Sequence, residues 1–158
     1  MVESRLVSDS LTVQTYILLP SHMNASGSVF GGQLLSWIDM TAGIVAMRHA
    51  DCGVVTASID RLDFKEGAQL SDVITLEGRI SWVGRCSMEV RVDTYKENKG
   101  GKKHLINTAY LVMVALDDET RRPTPVPRLK LVSAEDLAEW EAGEKRVLLR
   151  RQRQAEGY

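Results

Sequence analysis

Asn24, Gly31, Gly32 and Asp39 fall within one short segment and are residue types suited to chemistry on a carbonyl group. Asp39 is the odd member of Phe30–His49, FGGQLLSWIDMTAGIVAMRH, where most other side chains are apolar. An unpaired carboxylate in apolar surroundings is costly and tends to take up a proton. It therefore needs either a neighbouring backbone or hydroxyl partner or a role as an acid–base group. Gly31-Gly32 opens the same stretch, where a helix start would leave N–H groups free and present the positive end of its dipole. Glycine lets a substrate approach such N–H groups closely, and a carbonyl set against the Gly32 N–H would have its oxyanion stabilised. The same glycines would also serve tight packing. The Asn24 amide could orient a water or the reacting group, although asparagine in a loop is equally a turn former.

These residues need elements to hold them. Leu11–Leu19 (LTVQTYILL) is β-branched and aromatic and stops at Pro20, which reads as a strand. Ser21–Ser28 is a polar loop. From Phe30 to His49 apolar residues recur at helical spacing around nearly the whole circumference, the mark of a buried helix. Ser28 is its expected N-cap, and Cys52-Gly53 follows its end. Four strands are expected next, over Val54–Phe64, Val73–Trp82, Arg85–Tyr95 and His104–Leu116, the last being the most apolar and so expected at the centre. Pro123, Pro125 and Pro127 give an extended exit, and Ser133–Gln154 reads as a charged helix with an S-x-x-D cap at Ser133 and Asp136. The order β-α-β-β-β-β-α with tight turns implies an α+β fold, an antiparallel sheet curved around one helix. It forms a single domain over residues 1–158, with no internal repeat.

Spacing within the helix adds a constraint. Asp39 lies about 10 Å along the axis from Gly32, whereas a base, its water and the attacked carbonyl stand about 3 Å apart. One chain cannot easily serve both roles in one site. Two protomers with antiparallel central helices could, each site taking Asn24 and Gly32 from one chain and Asp39 from the other.

Bulk composition removes other classes. A net charge of -1 gives no global pull toward nucleic acid or membrane. Cys52 and Cys86 are too few for a disulfide framework, and with His22, His49 and His104 scattered, no metal site is expected. Met1–Ser10 shows no secretion signal and no apolar run spans a bilayer, so the cytoplasm is the expected location. Lys145, Arg146, Arg150, Arg151 and Arg153 crowd the terminal helix. Such a cluster suits phosphate or simply a solvated helix end.

The motif Asn24-x-x-Gly27-x-x-Phe30-Gly31-Gly32-x-Leu34-Leu35-x-Trp37-x-Asp39 resembles the signature segment of the hotdog-fold acyl-CoA thioesterases of the bacterial and cytosolic acyl-CoA hydrolase type. Val83–Val90 (VGRCSMEV), Thr56-Ala57-Ser58-Ile59-Asp60 with Phe64, and Pro125-Val126-Pro127 resemble further motifs of that family, in its order, over about Thr15 to Arg153. The resemblance implies a hotdog fold: a curved antiparallel sheet around a long central helix, plus a C-terminal helix. It implies hydrolysis of acyl-CoA to free acid and CoA, with Asp39 as general base or nucleophile and Asn24 and the Gly32 N–H positioning and polarising water or thioester. CoA contacts are implied at Gly31, Ser58, Arg85, Cys86, Ser87 and Arg150. It implies no cofactor beyond the substrate's own CoA, and dimers assembled as a trimer of dimers, a hexamer. A place in fatty acid metabolism, with no nucleic-acid or membrane partner, completes the expectation. The chain departs from the pattern at Gly67 and Ser71, in a turn, and at Cys86, where the family's threonine hydroxyl is absent. Two alternatives stand beside this reading. A hotdog enoyl-CoA hydratase would use an Asp and His pair, for which His22 is the nearby histidine, and a non-catalytic acyl-CoA-binding module would bind without turnover and would normally carry a DNA-binding domain, for which this length leaves no room. Val45, Met47, Val54 and Trp82 could line an acyl tunnel or simply pack the core.

Overall fold

The computed structural model describes residues 3–60 and 62–158. Its elements, in order, are β1 (Ser4–Leu6), α1 (Val7–Ser10), β2 (Thr12–Ile17), a 3-10 turn (Pro20–His22), α2 (Gly31–Ala50), β3 (Gly53–Ile59), β4 (Val73–Val83), β5 (Ser87–Glu97), β6 (Lys103–Leu116), β7 (Arg128–Lys130) and α3 (Ala134–Glu156). The main sheet runs β2-β4-β5-β6-β3, all antiparallel, while β1 and β7 form a separate parallel pair.

The sheet curls around α2. Alternating inward residues of its strands (Ile74, Leu76 and Ile80 from β4, Met88, Val90 and Val92 from β5, Leu111 and Met113 from β6) meet Leu34, Ile38, Ala42, Val45 and Ala46 of the helix. All are buried. This is the hotdog arrangement expected, with α3 added on the outer face.

Several details differ from expectation. β5 is the middle strand and β6 lies between it and the edge strand β3. Apolar character marks an interior strand, not which interior strand. β3 and β4 are not neighbours, because the connection between them crosses from one edge to the far side of β5. β3 ends at Ile59 rather than running on to Phe64, and of the expected remainder Arg61 lies outside the described residues. The N-cap of α2 is Phe30, with no side-chain cap. Ser28 is taken up instead in the preceding turn, where its N–H donates to the Asn24 Oδ1 at 3.1 Å. The helix ends on Asp51 in the left-handed region (φ 55°), so Gly53 is free to begin β3. α3 begins as expected: Ser133 accepts from the Asp136 N–H at 3.0 Å and Asp136 returns a bond to the Ser133 N–H.

Two bulges decide which way side chains face. The β3–β6 register shifts between Thr56 and Ser58, and the β4–β5 register shifts between Ile80 and Trp82. An extra residue in one strand reverses the alternation beyond it. Thr56 therefore falls in the inward row with Met113 and Met88, while Ser58 falls in the outward row with Val112, Glu89 and Trp82.

Candidate active site

The start of α2 leaves two donors open. Gln33 and Leu34 donate to the Phe30 carbonyl, but the N–H groups of Gly31 and Gly32 have no acceptor among the described residues. A Cβ at Gly32 would stand 2.5 Å from the Phe30 ring, so any larger residue here would require that exposed ring to swing aside. The Phe30 and Phe64 rings are both exposed beside these donors. Asn24 holds the preceding loop: its Oδ1 accepts from the N–H of Ser26 at 2.9 Å as well as from Ser28. The turn-forming role is thus real, and it consumes only the oxygen. The exposed amide nitrogen keeps its donors.

His22 is anchored elsewhere. Its Nδ1 accepts from the Leu19 N–H at 3.0 Å, and its ring lies edge-on to Trp37, which stacks on Tyr16 at 4.2 Å between centroids. No hydrogen bond joins it to Asp39 among the described residues.

Asp39 is not buried as the apolar pattern suggested; it is half-buried on the face of α2 that the curled sheet leaves open. Met40 and Met47 are exposed on the same face. The sheet wraps one side of the helix only, and sequence periodicity cannot show what a missing neighbour would cover. Thr56 Oγ1 donates to Asp39 Oδ1 at 2.7 Å. That partner was missed in sequence: Thr56 stood in a quoted motif with no role, because its inward direction depends on the bulge that follows it. Asp39 also borders a groove of about 420 Å³ lined in part by Gln14, Met40, Gly43, Met47 and Val54. Met47 and Val54 thus line open space, whereas Val45 is core.

On the outer face, Ser58, Ser87, Trp82 and Arg150 line a cleft of about 250 Å³. Arg85 is exposed, and Cys86 is half-buried beside it. Arg150, expected to contact CoA, is occupied: it bonds Asp60 at 2.8 Å and Glu89 at 2.6 Å. It is part of a network in which Arg146 also holds Glu89 and Glu139, Arg153 holds Asp60, and Arg91 bridges Glu139 and Asp93. The Arg146 guanidinium lies 3.7 Å over the Tyr110 ring. Burial works against the Glu139 charge, but Arg91 and Arg146 outweigh it and hold the carboxyl below its ordinary range.

A model of the thioesterase superfamily matches residues 26–102. An uncharacterized acyl-CoA thioester hydrolase of Bacillus subtilis is 39% identical over 136 residues, covering 85% of this chain and 78% of that protein. The chain belongs to the hotdog-fold acyl-CoA thioesterases. The human member of this family named cytosolic acyl coenzyme A thioester hydrolase is 32% identical over 149 residues, but this chain spans 39% of its length. Among solved thioesterases, an apo-hexameric acyl-CoA thioesterase superposes with a TM-score of 0.93 at 40% identity, covering 98% of this chain and 99% of that one. The acyl-CoA hydrolase of Staphylococcus aureus, solved with butyryl-CoA, CoA and CoA disulfide, gives a TM-score of 0.91 at 32% identity, covering 97% and 93%. Structures also exist of alanine variants of that thioesterase at an asparagine, an aspartate and a threonine. Those three follow one another at the separations of Asn24, Asp39 and Thr56.

Proposed function

We propose that this thioesterase hydrolyses acyl-CoA to a free carboxylic acid and CoA in sites shared between two protomers. Asn24 and the Gly32 N–H come from one chain, and Asp39 with Thr56 from the other. The observation that carries the reading is the Asp39–Thr56 pair on the open face of α2, on the same helix as two unsatisfied N–H groups yet about 10 Å along it. The three variant positions of the Staphylococcus aureus hydrolase support the choice of residues. The cytosolic relatives support a cytoplasmic reaction, and the hexameric neighbour supports a trimer of dimers.

Thr56 donates to one Asp39 oxygen, which leaves the other to take a proton from water. The hydroxide adds to the thioester carbon, and the Gly32 N–H receives the oxyanion. Collapse expels CoA as thiolate, which takes up the proton. A thioester carbonyl has little resonance stabilisation to lose, so the reaction is read as needing no cofactor. Attack by Asp39 itself, through a mixed anhydride, is the alternative. One turnover in heavy-oxygen water tests the alternative: direct attack of water labels only the acid product, whereas label in the Asp39 carboxylate requires an anhydride opened at the Asp39 carbonyl carbon.

The assignment is tested by release of free thiol from acyl-CoA. Asp39→Ala is expected to lose at least a hundredfold in kcat, as removal of a general base does; rates equal to wild type would remove Asp39 from the mechanism. Mixing Asn24→Ala with Asp39→Ala protomers is expected to restore part of the activity. No recovery despite demonstrated subunit exchange would refute the shared site.

A further inference from the structure

Residues 62–71, between β3 and β4, tie the catalytic segment to the far end of the sheet. Toward the catalytic segment, the Ala68 carbonyl accepts from the Val29 N–H at 2.9 Å and Gln69 bridges to Ser28, which holds the loop that carries Asn24. The Phe64 ring lies against the start of α2, 3.7 Å from where a Cβ of Gly31 would stand. Toward the sheet, the Asn107 Nδ2 donates to the Asp63 carbonyl at 2.7 Å and the Lys65 N–H donates to the Ile106 carbonyl at 3.3 Å. Glu66 meets Lys96 at 2.9 Å and His104 at 2.8 Å.

Asn107 is the unusual member of this set. It opens the inward row of β6 that continues through Ala109, Leu111 and Met113, and it is 1% exposed. Its Oδ1 is buried without a hydrogen-bond partner among the described residues, and so is the Oγ1 of Thr94, directly opposite on β5. A half-satisfied amide destabilises a core, and an apolar side chain of the same size would suit the position better. Among the described residues the Asn107 side chain makes one bond, to the Asp63 carbonyl, next in the chain to Phe64.

The N–H groups of Gly31 and Gly32 that lack an acceptor open beside two exposed rings, Phe64 against Gly31 and Phe30 against Gly32. A donor that receives an oxyanion acts more strongly where water is kept away, because the effective dielectric falls. A ring set on the donor keeps water away, and a ring that swings into solvent does not. Phe64 sits outside any helix or strand, so its place depends on how the neighbouring backbone is held.

We propose that Asn107 is a positioning residue for thioester hydrolysis: its bond to the Asp63 carbonyl holds Phe64 on the start of α2, where the ring walls water from the Gly31 and Gly32 N–H groups. This role rests on the acyl-CoA hydrolase reading above, and it adds to that site an aromatic wall at the carbonyl and a buried amide behind it.

The test measures thiol release from acyl-CoA together with the melting temperature. Asn107→Leu is expected to lower kcat about tenfold, since the donors then meet the developing charge in water. KM is expected to change little, because that charge appears only in the transition state. The melting temperature is expected to equal or exceed that of wild type. Thr94→Val, a like change at the opposite core position with no bond to the segment, is expected to leave kcat unchanged. Phe64→Ala, at an exposed ring, is expected to match Asn107→Leu in kcat, and the double variant to fall no further than Phe64→Ala alone. Hydrogen exchange at the Lys65 amide is expected to quicken in Asn107→Leu. A wild-type kcat in Asn107→Leu or in Phe64→Ala, losses that multiply in the double variant, an equal loss in Thr94→Val, or unchanged exchange at Lys65 would each overturn the positioning role. A melting temperature of Asn107→Leu well below wild type would overturn it too, by showing that the amide serves the core. Absence of thiol release by wild type is a different failure: it refutes the hydrolase reading, and the positioning role falls with it.

Discussion

The two faces of the sheet hold their helices by different forces. The inner face meets α2 mainly with aliphatic side chains at near-zero exposure, and polar contacts such as Thr56–Asp39 and Thr41–Gln14 are few. The outer face meets α3 largely with charges: Glu89, Arg91 and Asp93 of β5 alternate with the core residues Met88, Val90 and Val92. Hydrophobic contact is non-directional and tolerates adjustment. Ion pairs require geometry, and each member depends on the other. The inner face therefore fixes the fold, whereas the outer face fixes where one helix lies on it, and so the shape of the clefts between them.

The largest expected effect breaks the outer face at its centre. Glu89 is fully buried and serves two arginines. Glu89→Ala leaves both without their shared carboxylate and is expected to cost about 3–5 kcal/mol, read as a drop in denaturation midpoint. The triple change of Glu89, Arg146 and Arg150 to Met is expected to recover most of that loss, because no unpaired charge then remains. A triple variant as unstable as Glu89→Ala would show that these residues hold α3 by more than mutual charge compensation.

A smaller effect is expected on the inner face. Ile38→Val removes one methylene from a fully buried position and is expected to cost about 1 kcal/mol. The comparison sharpens if the Glu89→Ala loss changes with salt and the Ile38→Val loss does not.

The smallest effect is the pH response, and it separates the faces in order. Burial lowers the pKa of His49, on α2, against the hydrogen bond its Nε2 makes to the Pro127 carbonyl at 3.0 Å. A lowered folded pKa means that the unfolded chain binds the proton first. Stability from His49 is complete above its ordinary value of 6.5 and falls as pH drops from there through the lowered value. Glu139 of the outer face also has a lowered pKa, from an ordinary 4.5, so its contribution is lost only in stronger acid. A melting-temperature profile is expected to decline in two stages. His49→Gln should remove the first and Glu139→Gln the second; a single stage unaffected by His49→Gln would contradict this order.

Sequence by itself determined the elements whose pattern is local. The all-round apolar run gave α2, strict alternation gave β5, and Ser133 with Asp136 gave the start of α3 to the residue. It also pointed to Asp39 and Gly31-Gly32, because a carboxylate and a glycine pair stand out in an apolar helix. What tertiary structure decided depends on neighbours distant in the chain. The β5 charges turned out to be the footing of α3, and Arg150 proved to be bound to Asp60, 90 residues away. Thr56 became the partner of Asp39 through a bulge one residue long, which a pattern of period two does not encode. Asp39 itself lies open rather than buried because the curled sheet ends before it covers that face of α2. Side-chain chemistry is written in the sequence, but which face a side chain takes, and what meets it there, follows from register and curvature.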